Sequence, residues 1–380
     1  MPAQTRRALC RAAPGRYIYL REPAVRGPWR ETAPTARRLS WGRHMNRFAR
    51  GIVATIVGAS LWGLSGVFAQ YLYAHYEITA LFVTAVRTVS AGLVFLLYFL
   101  WRRRDLLREL LGDRASVRQL LVFGCCGLYT CQLTYIVAVG FTNAGTATVM
   151  QSSSVVFVML ATCLIGRRLP HAREVAGLVC AFAAAVLIAT KGDLGTLQIP
   201  VPGLIWGILN ALSVTFYIMY PHRLFERWGS LPITGLGLLV GGVLALVVWL
   251  AAGALWGATD GALGVSAAVP AFGWDGVACL AGIAVVGTLM AFSLYLHGVS
   301  IVGGLTGSLL GTMEPLSANV LAVLWLNTPF TWADWVGLAL MLVTTVLVSL
   351  GGAQGSGEAA PGAGGAPAAE GAPASEAGEA

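Results

Sequence analysis

Two charged side chains, Arg87 and Glu314, lie near the middle of long apolar stretches of this sequence. At the centre of a bilayer a charge costs about 2.5–3.5 kcal/mol on insertion scales, so each side chain needs a partner or a water-filled cavity. Carboxylates at such depths relay protons in pumps and transporters, which makes Glu314 a candidate for proton coupling or for binding a substrate ammonium group. The alternative is structural, because Pro315 frees a backbone carbonyl and a protonated Glu314 could stabilise the resulting kink.

Arg87 has three interpretations that the sequence leaves open. Its guanidinium could bind helix-end carbonyls and lock its helix to the neighbouring helices, or it could bind the carboxylate of a substrate. It could also form a salt bridge with Glu314, in which case neither charge would be free for a substrate.

Uncharged polar and aromatic side chains inside other apolar stretches form a second group of candidates. Such side chains also hydrogen-bond between helices, where each contributes roughly 0.6 kcal/mol, so a structural role is the alternative for each of them. Because they come from both halves of the sequence, we expect them to line a central cavity together with Arg87. The candidates for this substrate cavity are Trp62, Arg87, Gln132, Gln151, Ser153, Asn210, Tyr217 and Tyr295.

The sequence has no constellation that is typical of catalysis or of a bound cofactor. Its seven cysteines show no metal-ligand spacing, and it contains neither a glycine-rich phosphate loop nor a nucleophile–base pair. We therefore expect no catalytic residues, no metal and no cofactor. No recognisable nucleic-acid-binding fold accompanies the basic N-terminal run, which argues against nucleic-acid binding.

The elements that must hold these side chains are membrane-spanning helices. The chain is 57% hydrophobic and 11% charged, whereas soluble domains carry roughly 25% charged residues. Its apolar stretches approach the length of about 20 residues that crosses a bilayer, and they do not alternate as the strands of a β-barrel do. The ten predicted spans are 51–73, 78–101, 119–140, 144–165, 174–190, 203–220, 233–255, 275–298, 305–326 and 332–350.

Basic residues predict the orientation of these spans. Of the thirteen lysines and arginines after residue 50, eleven lie in the loops 102–118, 167–173 and 223–227. With ten spans, these three loops fall on one side of the membrane, and cytoplasmic loops carry the excess of basic residues. We therefore expect a multi-pass protein of the plasma membrane with both termini in the cytoplasm.

The sequence also repeats itself. The segments 144–177 and 305–337 are similar, and a shift of 161 residues places Ser153 on Glu314. Each unit holds five spans, an odd number, so the two copies insert in opposite orientations. Inverted repeats around a midplane site are typical of secondary transporters. The predicted fold class is an all-α integral membrane protein with ten transmembrane helices in two inverted-topology five-helix repeats.

On these features the sequence resembles the EamA-like branch of the drug/metabolite transporter superfamily. The resemblance rests on Leu61-Trp62-Gly63 in the first span, Arg87 in the second and Glu314-Pro315 in the ninth. It covers about residues 51–350 and implies two EamA-type units. It also implies transport of small metabolites, such as amino acids or related compounds, and it favours export.

The predicted domain boundaries follow from the repeat. Residues 51–191 and 203–350 form the two EamA-type five-helix units. Residues 1–50 are a basic N-terminal extension that we expect to be disordered and cytoplasmic, while a membrane-surface role, a transit peptide and a start at Met45 stay open. Residues 351–380, rich in Gly, Ala, Pro and Glu, are expected to form a disordered tail.

The sequence thus predicts a secondary active transporter that works by alternating access. Its expected partners are a small-molecule substrate and membrane lipid, with protons as candidate coupling ions at Glu314 and with the oligomeric state left open. The alternatives are a lipid-handling membrane protein and an intramembrane enzyme. An enzyme should show acid–base or metal-ligand residues that converge at one depth.

Overall fold

The structure, a computed structural model, describes residues 35–193, 198–256 and 271–355. Every regular element in these residues is helical. The expected C-terminal tail beyond residue 355 and residues 1–34 of the expected N-terminal extension lie outside the described residues.

Within the described ranges, ten helices are long and apolar enough to cross a membrane, which confirms the predicted fold class. We number these spanning helices in chain order. They are helix 1 (Arg47–His75), helix 2 (Ala80–Arg102), helix 3 (Arg114–Phe141), helix 4 (Ala144–Ile165), helix 5 (Ala172–Thr190), helix 6 (Val201–Met219), helix 7 (Ser230–Ala254), helix 8 (Trp274–Val302), helix 9 (Thr306–Leu326) and helix 10 (Trp332–Leu350). Helix 1 continues a helix that begins at Thr35, so residues 35–50, which the sequence assigns to a disordered extension, are helical instead.

The two five-helix units repeat the same irregularities. Helices 3 and 8 each contain a π-helical segment, Phe123–Tyr129 and Gly282–Met290. Helices 4 and 9 are each interrupted near the middle, at Ser153 and at Thr312. The interruptions at Ser153 and Thr312 thus occupy similar places in the two units, within two residues of the pairing that the shift of 161 residues gives.

The two interruptions share a tight turn, and helix 9 has a proline in addition. In helix 9, Pro315 has no N–H for the carbonyl of Gly311, so the regular hydrogen-bond ladder cannot continue through this point. Helix 4 has no proline here, and its Ser153 N–H donates to the Met150 carbonyl at 3.1 Å. The Thr312 N–H of helix 9 donates in the same way to the Leu309 carbonyl at 3.3 Å. In both helices, a second helical segment therefore begins near the middle of the bundle.

Helices of one unit pack extensively against helices of the other. Close contacts join helix 2 to helix 7, helix 5 to helix 10 and helix 3 to helix 6. Helix 1 lies against helix 8, where a Cβ added at Gly58 would lie 2.6 Å from the backbone nitrogen of Tyr295. Helices 2 and 7 are equivalent in the repeat, as are helices 5 and 10. The repeat also relates helix 1 to helix 6 and helix 3 to helix 8, so the pairs 1–8 and 3–6 are equivalent contacts. This is the arrangement expected when two copies are related by a pseudo-two-fold axis.

The last helix of each unit begins in the same way. Glu174 in helix 5 accepts a hydrogen bond from the backbone N–H three residues earlier at 2.7 Å and pairs with Arg168 at 2.8 Å. Asp334 in helix 10 accepts from the backbone N–H three residues earlier at 2.8 Å and pairs with Lys191 at 2.5 Å. Both carboxylates are buried and lie at the positive end of the helix dipole, which favours a negative charge there.

Asp113 connects two of the basic loops and so joins the two units. It pairs with Arg227 at 2.5 Å and accepts a hydrogen bond from the Ser116 hydroxyl at 2.8 Å. The Ser116 hydrogen bond, aided by a backbone N–H and by the charge of Arg227, lowers the pKa of Asp113. Trp228 completes the connection, since its Nε1 donates to the Ser116 hydroxyl at 2.9 Å.

Candidate functional site

A cavity of about 250 Å³ lies between the two units, and helices 1, 2, 3, 4, 6, 8 and 9 contribute to its wall. Most of the side chains that the sequence singles out meet here. The wall includes Trp62, Arg87, Gln132, Gln151, Tyr217, Tyr295 and Glu314. Residues far apart in the chain are therefore brought to one place, as a shared binding site requires.

Glu314 is held by a residue of the other unit. Gln151 Nε2 in helix 4 donates to Glu314 Oε1 in helix 9 at 2.9 Å. Glu314 also lies in the first turn of the helical segment Met313–Leu326, so the dipole of that segment favours its ionised form. Helix 1 approaches the same point closely, because a Cβ added at Gly63 would lie 2.6 Å from the Glu314 carbonyl oxygen.

Arg87 lies on another part of the wall, anchored at one nitrogen. Its side chain is buried, and Nε donates to the Thr288 hydroxyl at 3.3 Å. Thr288 belongs to the π-helical segment of helix 8 and donates in turn to the Ile283 carbonyl at 2.9 Å. Among the described residues, Arg87 forms no salt bridge with Glu314, and its Nη1 has no hydrogen-bond partner.

Helix 3 supplies two further polar side chains to the wall, Gln132 and Tyr135. Both are buried, and neither Gln132 Nε2 nor Tyr135 Oη has a partner among the described residues. Tyr135 is absent from the sequence-based candidates. The sequence feature that could have identified Tyr135 is its position in helix 3, which is similar to that of Tyr295 in helix 8 of the second unit. The two differ in the structure, since Tyr295 Oη donates to the Gly307 carbonyl at 3.1 Å.

Aromatic rings form the apolar part of the cavity. The Trp62 ring packs edge-on against Phe292, with centroids 4.9 Å apart, and lies 4.7 Å from the Tyr295 ring. The Tyr217 ring stacks on Phe123 at 5.8 Å. Sequence reasoning did not find Phe292, because an apolar residue in an apolar span gives no signal of facing a cavity.

Two of the proposed cavity residues, Asn210 and Ser153, lie elsewhere. Asn210 is buried between helices 6 and 3, where Nδ2 donates to the Cys131 carbonyl at 2.9 Å and to the Thr134 hydroxyl at 3.1 Å. Ser153 sits at the interruption of helix 4 and is not part of the wall. Their surroundings match the structural alternative, in which polar side chains join helices or shape a bend.

The cavity extends toward one end of the bundle. Beyond Tyr217, its wall continues through His222 and Phe225, which belong to the short helix His222–Trp228 that carries the basic residues of 223–227. In helix 4 it runs from Gln151 to Thr162, near the basic loop 167–173.

Polar contacts join the helices at the opposite end. The hydroxyls of Tyr71 and Tyr76 donate to Asp275 at 2.9 and 2.8 Å, which ties helix 1 to helix 8. The hydrogen bond from Tyr76 to Asp275 raises the pKa of Tyr76. Gln70 accepts from the Ala144 backbone N–H at 2.9 Å and donates to the loop between helices 9 and 10. None of these residues belongs to the cavity wall.

The described residues contain no group of three or more His, Cys, Asp or Glu side chains that could hold a metal ion. What the wall offers is a carboxylate, a guanidinium, amide and hydroxyl groups, and aromatic rings. Such a set can bind a small polar molecule that carries an apolar part.

Comparisons with known proteins agree with this architecture. The EamA-like transporter family matches the chain twice, at residues 49–190 and 201–350, so that each match covers one five-helix unit. The uncharacterized inner membrane transporter YicL of Salmonella typhimurium (strain LT2) is 33% identical over 306 residues, which is 80% of this chain and 97% of that protein. A crystal structure with 19% identity has a TM-score of 0.55 and covers 80% of this chain and 97% of its own, so it supports the fold alone.

Proposed function

Because this chain belongs to the EamA-like transporter family, we propose that it moves a small metabolite across the membrane by alternating access, driven by a proton gradient. The chain is a multi-pass membrane protein, and the part of it that the structure describes contains ten helices long and apolar enough to span the membrane. Membership of the family does not define the cargo, the direction or the coupling, and the proposal adds these three properties.

One observation carries the proposal: the hydrogen bond from Gln151 to Glu314 crosses between the two units at the cavity. In alternating access the two inverted halves exchange conformations around a central site. A contact that joins them at that site must change when they move. Binding or loss of a proton at Glu314 changes this contact, because the carboxyl group then gains or loses a donor hydrogen.

The charges at the cavity support a cargo of the amino-acid type or a related compound. Glu314 offers an acceptor for an ammonium group, and Arg87 offers a donor for an acid group. The rings of Trp62, Phe292 and Tyr295 add an apolar surface for a side chain.

Sidedness follows from the basic loops. Loops 102–118, 167–173 and 223–227 are placed in the cytoplasm, together with both termini, because cytoplasmic loops carry the excess of arginine and lysine. The cavity continues toward two of these loops. A cargo molecule would then enter from the cytoplasm, which is the direction that export needs.

Glu314→Gln tests the coupling. The variant keeps the side-chain size and a hydrogen-bonding partner for Gln151, but it cannot take up or release a proton. In proteoliposomes loaded with a panel of metabolites, we expect the wild-type protein to show flux that responds to an imposed pH gradient. We expect this response to be lost in Glu314→Gln while exchange without a gradient persists.

Asp275→Asn is the matched control. It also removes a carboxylate from a spanning helix, but one that binds Tyr71 and Tyr76 outside the cavity. Its flux should still respond to the pH gradient. A pH response of wild-type size in Glu314→Gln would rule out coupling through Glu314, and an absence of flux for every metabolite in the wild type would argue against the transport proposal itself.

A further inference from the structure

A cluster of arginines follows the end of helix 2. Three of them, Arg102, Arg103 and Arg104, are consecutive, and the fourth, Arg108, lies one turn after Arg104 in the short helix Arg104–Gly112. We call these four residues the arginine patch. All four are exposed, and none of them forms a salt bridge within the described residues. Like charges four residues apart on a helix repel each other, so the patch attracts an anion from outside the protein.

We propose that the arginine patch binds the headgroup of an anionic phospholipid in the leaflet that faces the basic loops. Clusters of about four to eight basic residues immediately beyond the cytoplasmic end of a spanning helix are typical of binding to such lipids. The phosphate of a lipid accepts charge-assisted hydrogen bonds from guanidinium groups, often two from one arginine. The patch does not belong to the cavity wall, so this ligand is separate from the cargo.

A neighbouring aromatic ring places the patch at the membrane surface. Trp101 is 77% exposed, and tryptophan in membrane proteins is enriched at the level of the lipid headgroups. The guanidinium carbon of Arg102 lies 5.3 Å from the centroid of the Trp101 ring. The patch therefore begins at the depth where the phosphate of a phospholipid lies.

The short helix Arg104–Gly112 separates its exposed side chains by type. Residues three or four positions apart share one side of a helix, so Arg104, Arg108 and Leu111 form one edge. Leu111 is 57% exposed and offers an apolar contact beside the two arginines. The acidic residues lie on a different edge and are Asp105 and Glu109. A helix with this separation suits the membrane interface, where its apolar edge meets the acyl chains and its basic edge meets anionic headgroups.

The inner face of this short helix joins the two five-helix units. Leu107 and Leu110 are buried in an apolar cluster that includes two residues of the second unit, Leu224 and Ile233. Leu224 is followed directly by Phe225, which belongs to the cavity wall. A lipid bound to the arginine patch therefore supports the packing of the two units beside the open end of the cavity.

Matched lipids test the site. Purified full-length protein in detergent is titrated with phosphatidylglycerol and with phosphatidylcholine of the same acyl chains, and native mass spectrometry measures the affinity for the first bound lipid. The two lipids differ in headgroup and net charge alone. We expect the wild type to prefer phosphatidylglycerol by about tenfold to thirtyfold, the range that two arginines give near an anionic surface. The preference should fall as the ionic strength rises.

Variants then assign the preference to the patch. The double variant Arg104→Gln/Arg108→Gln should lose most of it. Because Arg104 Nε also binds the Leu100 carbonyl, Arg108→Gln alone serves as a second variant and should reduce the preference about fivefold. The matched control Arg173→Gln/Arg223→Gln removes the same charge from two exposed arginines outside the patch, and it should keep the full preference.

Equal affinity of the wild type for the two lipids would overturn the proposal. So would an equal loss of preference in the patch variant and in the control, which would indicate a general effect of charge, or an unchanged preference in Arg108→Gln if the double variant does not fold. Glycerol 1-phosphate tests the source of the headgroup. If it displaces phosphatidylglycerol at an equal concentration, the patch binds a soluble anion and the assignment to lipid is wrong.

Discussion

At the scale of single residues, one carboxylate both begins helix 5 and binds the neighbouring loop. The two oxygens of Glu174 accept hydrogen bonds from the Arg168 guanidinium at 2.8 Å each, and one also accepts the His171 backbone N–H at 2.7 Å. Glu174 is 1% exposed. Its oxygens therefore cannot exchange these partners for water without opening the structure.

We expect Glu174→Gln to lower the free energy of unfolding by about 1–3 kcal/mol, because it removes charge-assisted hydrogen bonds and weakens the helix cap. Thermal unfolding of the purified protein in detergent measures the change. Glu226→Gln is the control, because the Glu226 side chain is 57% exposed and, within the described ranges, its ion pair is with the exposed His222 alone. Equal shifts in the two variants would show that the Glu174 contacts add no stability.

The sequence singles out candidate site residues where a residue type is costly in an apolar span. Arg87 and Glu314 stand out for that reason, and both line the cavity. Neutral polar residues carry less information. Asn210 and Gln132 look alike in the sequence, yet Asn210 joins helices 6 and 3 while Gln132 faces the cavity. Which way such a side chain faces is decided by the packing of neighbouring helices, and a single span does not contain that information.

At the scale of elements, helix 1 and helix 9 meet at a glycine. A Cβ added at Gly63 would lie 2.2 Å from the Ser317 hydroxyl oxygen and 2.6 Å from the Glu314 carbonyl oxygen. Small residues let helices in membranes approach this closely. Gly63 follows Trp62, so the same turn of helix 1 supplies a ring to the cavity and a contact that fixes the backbone of Glu314.

Gly63→Ala should therefore push helix 9 away at the site. Overpacking of this kind costs about 1–3 kcal/mol, and we expect lower thermal stability together with reduced pH-driven flux in proteoliposomes. Gly112→Ala is the control, because a Cβ there would meet nothing within 4 Å. It should leave flux unchanged and, as a helix-favouring change, should not lower stability. Wild-type flux in Gly63→Ala would mean that this contact does not position Glu314.

The positions of the spans could be predicted from hydropathy, because ten long apolar stretches allow few other structures. Their irregularities were harder to foresee. Pro315 indicates the interruption of helix 9. The interruption at Ser153 has no proline, and no residue pattern in the sequence indicates the π-helical segments. The repeat was recognisable, but its exact pairing of residues depends on these irregularities, and the sequence does not mark most of them.

At the scale of the whole molecule, the most extensive contacts between helices join one five-helix unit to the other. Helices 2 and 7, and helices 5 and 10, pair across the units, and the cavity wall takes residues from both. Neither unit could close the cavity by itself. The contacts at the two ends differ, however: Tyr71 and Tyr76 bind Asp275 at one end, and the wall continues to Phe225 at the other. This asymmetry is what one state of an alternating-access cycle requires.

Sidedness can be tested on the whole molecule with two exposed positions in a cysteine-free background. Glu77 lies in the loop between helices 1 and 2, and Arg108 lies in the short helix Arg104–Gly112 that connects helices 2 and 3. If basic loops face the cytoplasm, a membrane-impermeant maleimide should label Glu77→Cys in intact cells and Arg108→Cys only after permeabilisation. The reverse pattern would invert the proposed topology and would turn the cavity toward the outside. In that case the same structure would present its binding site to external substrate, and import would replace export as the direction that the cavity favours.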